Sequence, residues 1–164
     1  MSSSDRRAFL LLLAALPLAG CGFEPAYGTG GPAERLKNSI RVADPTDRHS
    51  YNLVGRLEER LRRPVTPRYM LDYTLTTESV RLAITPAQEI TRYNITGKVD
   101  FTLTEIATGE TVYTGSVNSF TGYSASGTPV ATQTAERDAY DRLMIILADQ
   151  MVTRLIASSG NWGV

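Results

Sequence analysis

The chain has 164 residues, 17 basic and 17 acidic side chains, one Cys, one His and one Trp. That is the length of one domain, and 42% hydrophobic with 21% charged residues is a globular rather than a disordered composition. One Cys and one His exclude an intrachain disulfide framework and a Cys-rich or two-histidine metal centre, and a net charge of zero gives no electrostatic case for a nucleic-acid partner.

Residues 1–20 read as a targeting segment, to be set aside before fold reasoning. Arg6 and Arg7 precede the apolar run Ala8–Ala19, which is shorter than the ~20 residues a bilayer core requires but right for a signal-peptide apolar region. The run ends in Leu18-Ala19-Gly20-Cys21, which resembles the bacterial lipobox. There the small residues admit the backbone to a peptidase cleft and the Cys thiol receives a diacylglyceryl group. Cys21 is therefore expected to be the lipidation site. Palmitate-type chains contribute about 0.8 kcal/mol per buried CH₂, so a multiply acylated terminus holds the protein on its membrane. Gly22, where an Asp would retain a lipoprotein at the inner membrane, favours the outer membrane by the same resemblance. Asp5-Arg6-Arg7-Ala8-Phe9-Leu10 also resembles a twin-arginine export signal, and an ordinary Sec signal fits as well. Either route leads to the periplasm.

Residues 21–37, rich in Gly and Pro, read as a lipidated flexible tether. A single domain is expected over 38–158. Ser39–Ala43 alternates as a short strand stopped by Asp44-Pro45. Residues 47–62 read as a helix, with Leu53, Val54, Leu57 and Leu61 forming its apolar stripe, ended by Arg63-Pro64. A strand starts near Arg68. Its apolar parity changes from Tyr69, Leu71, Tyr73 and Leu75 to Val80, Leu82 and Ile84, which predicts a bulge or bend near Glu78–Ser79. After a turn at Thr85–Gln88, Tyr93, Ile95, Gly97, Val99, Phe101 and Leu103 alternate with polar residues, as in a long antiparallel strand with one buried face. Ala107–Glu110 is a hairpin turn, Thr111 to about Tyr123 a further strand, and Gly122–Thr132 a loop. Thr134–Ala157 reads as a long helix. Residues 159–164 are expected to be a loose tail, in which Trp162 either meets a partner or folds back on the core. The order β-α-β-β-β-α predicts an α/β (α+β) two-layer sandwich: a mainly antiparallel four-stranded sheet with two helices on one face.

Catalytic signatures are missing. There is no phosphate-binding glycine loop, nucleophile elbow or H-E-x-x-H helix, so no enzyme activity and no cofactor is expected. His49, at a helix start, reads as an exposed polar residue, and Glu58-Glu59 as part of a solvated face. The cations carry more interest. Arg92 and Lys98 share a parity on the long strand, about 20 Å apart, and Arg68 and Arg81 lie on the neighbouring strand. A Thr-rich sheet face bearing such cations offers guanidinium forks to phosphates. A solvated face that resists edge aggregation is the competing reading.

Taken together, the lipobox with Cys21-Gly22-Phe23-Glu24-Pro25-Ala26-Tyr27-Gly28, Thr91-Arg92-Tyr93-Asn94, Thr108-Gly109, Asp138-Ala139 and Leu147–Leu155 resemble the LPS-assembly lipoproteins of the LptE family in its alphaproteobacterial form. Ala26 departs from the larger aliphatic residue often found there. The resemblance implies two helices on a mainly antiparallel sheet and a non-catalytic, lipid-anchored protein facing the periplasm from the outer membrane. It also implies a plug that helps assemble an LptD-type β-barrel and delivers lipopolysaccharide to the outer leaflet, with basic residues meeting lipid A phosphates. Arg92 lies in the matching strand region and is the first candidate, followed by Lys98, Arg81 and Arg68. An auxiliary lipoprotein of another envelope transport or lipid-trafficking system is the alternative reading.

Overall fold

The computed structural model describes residues 26–84 and 90–162. The signal segment, Cys21 and the turn expected at Thr85–Gln88 lie outside the described residues. The elements are α1 (Pro32–Leu36), β1 (Ile40–Val42), α2 (Arg48–Leu61), β2 (Tyr69–Ile84), β3 (Ile90–Glu105), β4 (Thr111–Ser124) and α3 (Pro129–Ser158), closed by a 3₁₀ turn at Ser159–Asn161. The sheet order is β1-β2-β3-β4. β1 runs parallel to β2 through the α2 crossover, and β2, β3 and β4 form an antiparallel meander. This is the expected two-layer architecture with one helix added at the front.

Local chemistry sets the element ends. Ser50 N–H donates to the Asp47 carboxylate at 2.8 Å and Asp47 N–H donates to Ser50 Oγ at 2.9 Å, a reciprocal cap for α2. Leu53, Val54, Leu57 and Leu61 form its buried stripe, as their spacing predicts. α3 begins earlier than its apolar pattern suggests. Pro129 occupies the first turn, where its missing N–H costs nothing, and Thr128 Oγ1 accepts from Ala131 N–H at 3.3 Å. Part of the expected Gly122–Thr132 loop is therefore helix. Although Pro129–Asn161 is long and apolar enough to cross a membrane, half of its most apolar stretch is buried in the protein. Leu143, Leu147, Met151 and Leu155 are fully covered, so it is the central core helix. It comes close to the sheet over Gly97, where an added Cβ would lie 2.9 Å from Leu147 Cδ1.

Four further expectations change. The strand parity switch involves no bulge at Glu78–Ser79. The β2–β3 register runs unbroken from Tyr69↔Glu105 to Arg81↔Tyr93, and the irregularity follows Arg81. Val80 and Leu82 consequently leave the core, at 41% and 60% exposure. The tether is not extended throughout, because Pro32–Leu36 is helical and buries Ala33 and Leu36. The tail packs as well. Trp162 is 9% exposed, its ring meets Tyr69 edge-on at 5.1 Å, and its Nε1–H donates to Ser158 Oγ at 3.1 Å. Of its two readings, the fold takes the return to the core. His49 is half-buried rather than exposed and stacks on Tyr140 at 4.2 Å.

Candidate functional site

Residues directly opposite in neighbouring strands share a sheet face, so the register assigns each candidate to a face. Tyr93, Ile95, Gly97, Val99, Phe101 and Leu103 point toward the helices. Asn94, Thr96, Lys98, Asp100 and Thr102 point away, and Arg92 has the same outward parity. Lys98 sits between Thr76 and Asn118, and Arg92 between Ala83 and Ser124. The expected Thr-rich outer face carrying both cations is therefore a single surface.

The other two candidates separate from it. Arg81 pairs with Tyr93, whose ring stacks at 5.1 Å on buried Tyr123. Arg81 thus belongs to the helix-side face, at its exposed end. Arg68 stands before β2, at the far end of the sheet. Its Nε donates to Glu105 Oε1 at 3.1 Å, and its guanidinium lies 5.0 Å from the Tyr69 ring centroid. The four cations do not form one cluster.

The two outward cations differ. Lys98 Nζ lies 2.8 Å from Asp100 Oδ2, both side chains being at least half exposed. The Lys98 ammonium, with Ser116, holds the Asp100 carboxyl below its ordinary pKa. An exposed pair of this kind exchanges partners at little cost. Arg92 is exposed and has no ion pair among the described residues. Around the same end of the outer face stand Val80, Leu82 and Phe120, the last 68% exposed and opposite Thr96. The sequence pattern reads Val80 and Leu82 as apolar-face residues, whereas Phe120, near the end of the last strand, is where exposure to a partner is expected, and it is exposed. Val80 lies opposite Asn94 and Phe120 opposite Thr96, both on the outward face, while Leu82 falls in the irregularity between Arg81 and Ala83. Cations beside exposed apolar side chains suit an amphiphile with anionic groups.

The face carries no catalytic arrangement. Among the described residues, no group of three or more His, Cys, Asp and Glu side chains is placed to hold a metal ion. Glu58 and Glu59 pair instead with Arg63 at 3.2 Å and Arg56 at 2.8 Å.

Comparison with known proteins bears on the family and the fold. Residues 38–155 match the family model described as LptE, lipopolysaccharide-assembly. The search of curated proteins found no match. Among solved structures, a lipoprotein from Caulobacter crescentus CB15 is similar at a TM-score of 0.65 and 23% identity, over 79% of this chain and 96% of that one. Rare lipoprotein B from Shewanella oneidensis is similar at 0.56 and 17%, over 74% and 94%. Lipoprotein B from Nitrosomonas europaea is similar at 0.58 and 10%, over 76% and 85%. At these identities the structures speak to the fold.

Proposed function

The chain belongs to the LptE family of lipopolysaccharide-assembly lipoproteins, which is non-catalytic, and from that premise we propose that it is an outer-membrane plug and assembly factor for an LptD-type β-barrel. In this reading Cys21 carries the lipid anchor, the protein faces the periplasm, and the Arg92 end of the folded domain plugs the barrel lumen while lipopolysaccharide passes to the outer leaflet. The observation that carries the reading is the family match, which runs from just before β1 into the last turns of α3 and so takes in all four strands, α2 and most of α3.

The outer sheet face supplies the supporting chemistry. Among the described residues Arg92 presents a fork without an ion-pair partner, and Lys98 is paired with the surface carboxylate of Asp100. Both can turn toward phosphates, while Val80, Leu82 and Phe120 offer apolar surface to acyl chains or to a barrel wall. Arg81 and Arg68 rank below them, one on the other face and one paired with Glu105.

Affinity purification of the tagged protein from envelope is the test. Recovery of a large outer-membrane barrel is expected. Recovery of an inner-membrane transport ATPase with no barrel would replace this reading with an auxiliary role in another lipid-trafficking system.

A further inference from the structure

A second charged surface lies at the opposite end of the molecule. There the segment preceding β1 is fastened to the body: Ala33 N–H donates to Ala26 O at 3.0 Å and Asn38 N–H to Leu61 O at 2.9 Å. Tyr27, 66% exposed, joins Lys37, Arg60 and Arg62 around a groove of about 370 Å³ walled by Leu61 and Val152. Tyr27 is six positions beyond Cys21, and six residues of extended chain reach at most about 20 Å. If Cys21 is acylated, this end of the body cannot move farther than that from the bilayer.

The groove's charges are unequally balanced. Lys37 pairs with Glu34 at 3.0 Å and Arg60 with Asp149 at 2.7 Å. Glu59, also on the groove, pairs with Arg56 at 2.8 Å. Arg62 has no acidic partner among the described residues, nor does Arg41, which shares the adjoining recess with Arg62, Arg63 and Glu58. Arg62 also stands at φ 63°, ψ 155°, a conformation that glycine adopts freely and other residues resist. Arg62 thus combines a strained backbone with the lack of an acidic partner among the described residues, in the groove that Tyr27 lines.

We propose that the groove lined by Tyr27, Lys37 and Arg62 docks on the membrane that holds the anchor and takes the phosphate headgroup of an anionic glycerophospholipid. The guanidinium fork meets phosphodiester oxygens. The amphipathic Tyr ring sits at headgroup depth, and the Leu61–Val152 wall covers the glycerol and first methylenes. A lipid anchor plus a basic surface is the pairing of two signals that makes membrane attachment firm and oriented. The proposal rests on acylation of Cys21 but not on lipopolysaccharide binding by the outer sheet face.

The test reconstitutes the processed lipoprotein into phosphatidylcholine vesicles with and without phosphatidylglycerol, lipopolysaccharide being absent from both. Amide hydrogen exchange is followed at residues 27–38 and 60–64. Slowing on the order of tenfold is expected only with phosphatidylglycerol, and Arg62→Gly should abolish it. That variant suits the backbone conformation, so its thermal stability should be no lower than the parent's and misfolding does not explain a loss. Equal exchange in both vesicles, or slowing that survives Arg62→Gly, overturns the proposal. So does equal slowing by inorganic phosphate over phosphatidylcholine alone, which would make the groove a free-phosphate site. Failure of the protein to float with vesicles overturns the anchor itself, a separate readout from exchange at the groove.

Discussion

Arg56 and Asp149 face each other across the seam between α2 and α3 as a two-point pair, Nε to Oδ1 at 3.1 Å and Nη2 to Oδ2 at 3.0 Å. Arg60, one turn on, adds its own contact to Oδ1 at 2.7 Å, and Asn52, one turn back, donates to Asp141. The i, i+4 spacing of residues 52, 56 and 60 places all three on the edge of α2 that meets α3. The hydrogen bond to Asp149, followed by that to Glu59, raises the pKa of the Arg56 guanidinium.

Asp149→Ala removes the shared acceptor of two arginines. The melting temperature should fall by a few degrees, and the deficit should shrink in high salt as the exposed part of the network is screened. A double-mutant cycle with Arg56→Ala should give a coupling energy distinguishable from zero. Independent effects at the two positions would show that the pair does not join the helices energetically.

The α2 cap carries a pH dependence. The backbone N–H of Ser50 is the main cause that lowers the pKa of the Asp47 carboxyl. A carboxylate whose folded pKa lies below its unfolded value contributes stability above that value, near 4, and loses it as pH falls through the folded pKa. Asp47→Ala should therefore cost about 1 kcal/mol near neutral pH, and the gap from the parent should close below about pH 4. Urea denaturation at several pH values reads this directly; a gap unchanged in acid would contradict it.

Trp162 closes the C-terminal end of the core. Trp162→Ala should cost roughly 3 kcal/mol, as for other buried aromatic truncations. Trp162→Phe keeps a ring against Tyr69 while losing the hydrogen bond to Ser158, and should cost nearer 1 kcal/mol. Equilibrium denaturation checks both. A neutral alanine variant would mean that the tail does not pack in solution.

On the outer sheet face, Arg92→Ala should weaken lipopolysaccharide binding in vitro by about tenfold, the scale of one charge-assisted hydrogen bond. Lys98→Ala should have a smaller effect, because its ammonium already has Asp100. Arg81→Ala, on the other face, should leave binding near the parent value. Titration of folded variants with purified lipopolysaccharide checks the ranking, and an unchanged double variant at Arg92 and Lys98 would remove this face from the binding site.

How much was legible depended on how local the signal was. The alternation from Tyr93 to Leu103 is a property of one strand, and it placed Arg92 and Lys98 on a shared outward face. The leucine stripe of α2 is equally local. Arg81 was not placed this way. Its face follows from pairing with Tyr93, and registry is a property of two strands. The switch from Leu75 to Val80 reads as a bulge or bend when apolar side chains are assigned to the core; the register instead stays regular through Arg81, and Val80 and Leu82 go to the surface. Pro129 hid the first turn of α3, since proline marks both a loop and a helix start.

The sequence by itself determined the element order from β1 to α3, the two-layer class, the core stripes and the likeness to lipid-anchored envelope proteins, because apolar periodicity and short motifs are written along the chain. Only the tertiary structure decided that the cations fall on separate surfaces, that Trp162 and Leu36 belong to the core, and that Tyr27, Lys37 and Arg62 share one groove. These relations join residues far apart in the chain. They follow from strand register and from how the two helices close over the sheet, which no single segment encodes.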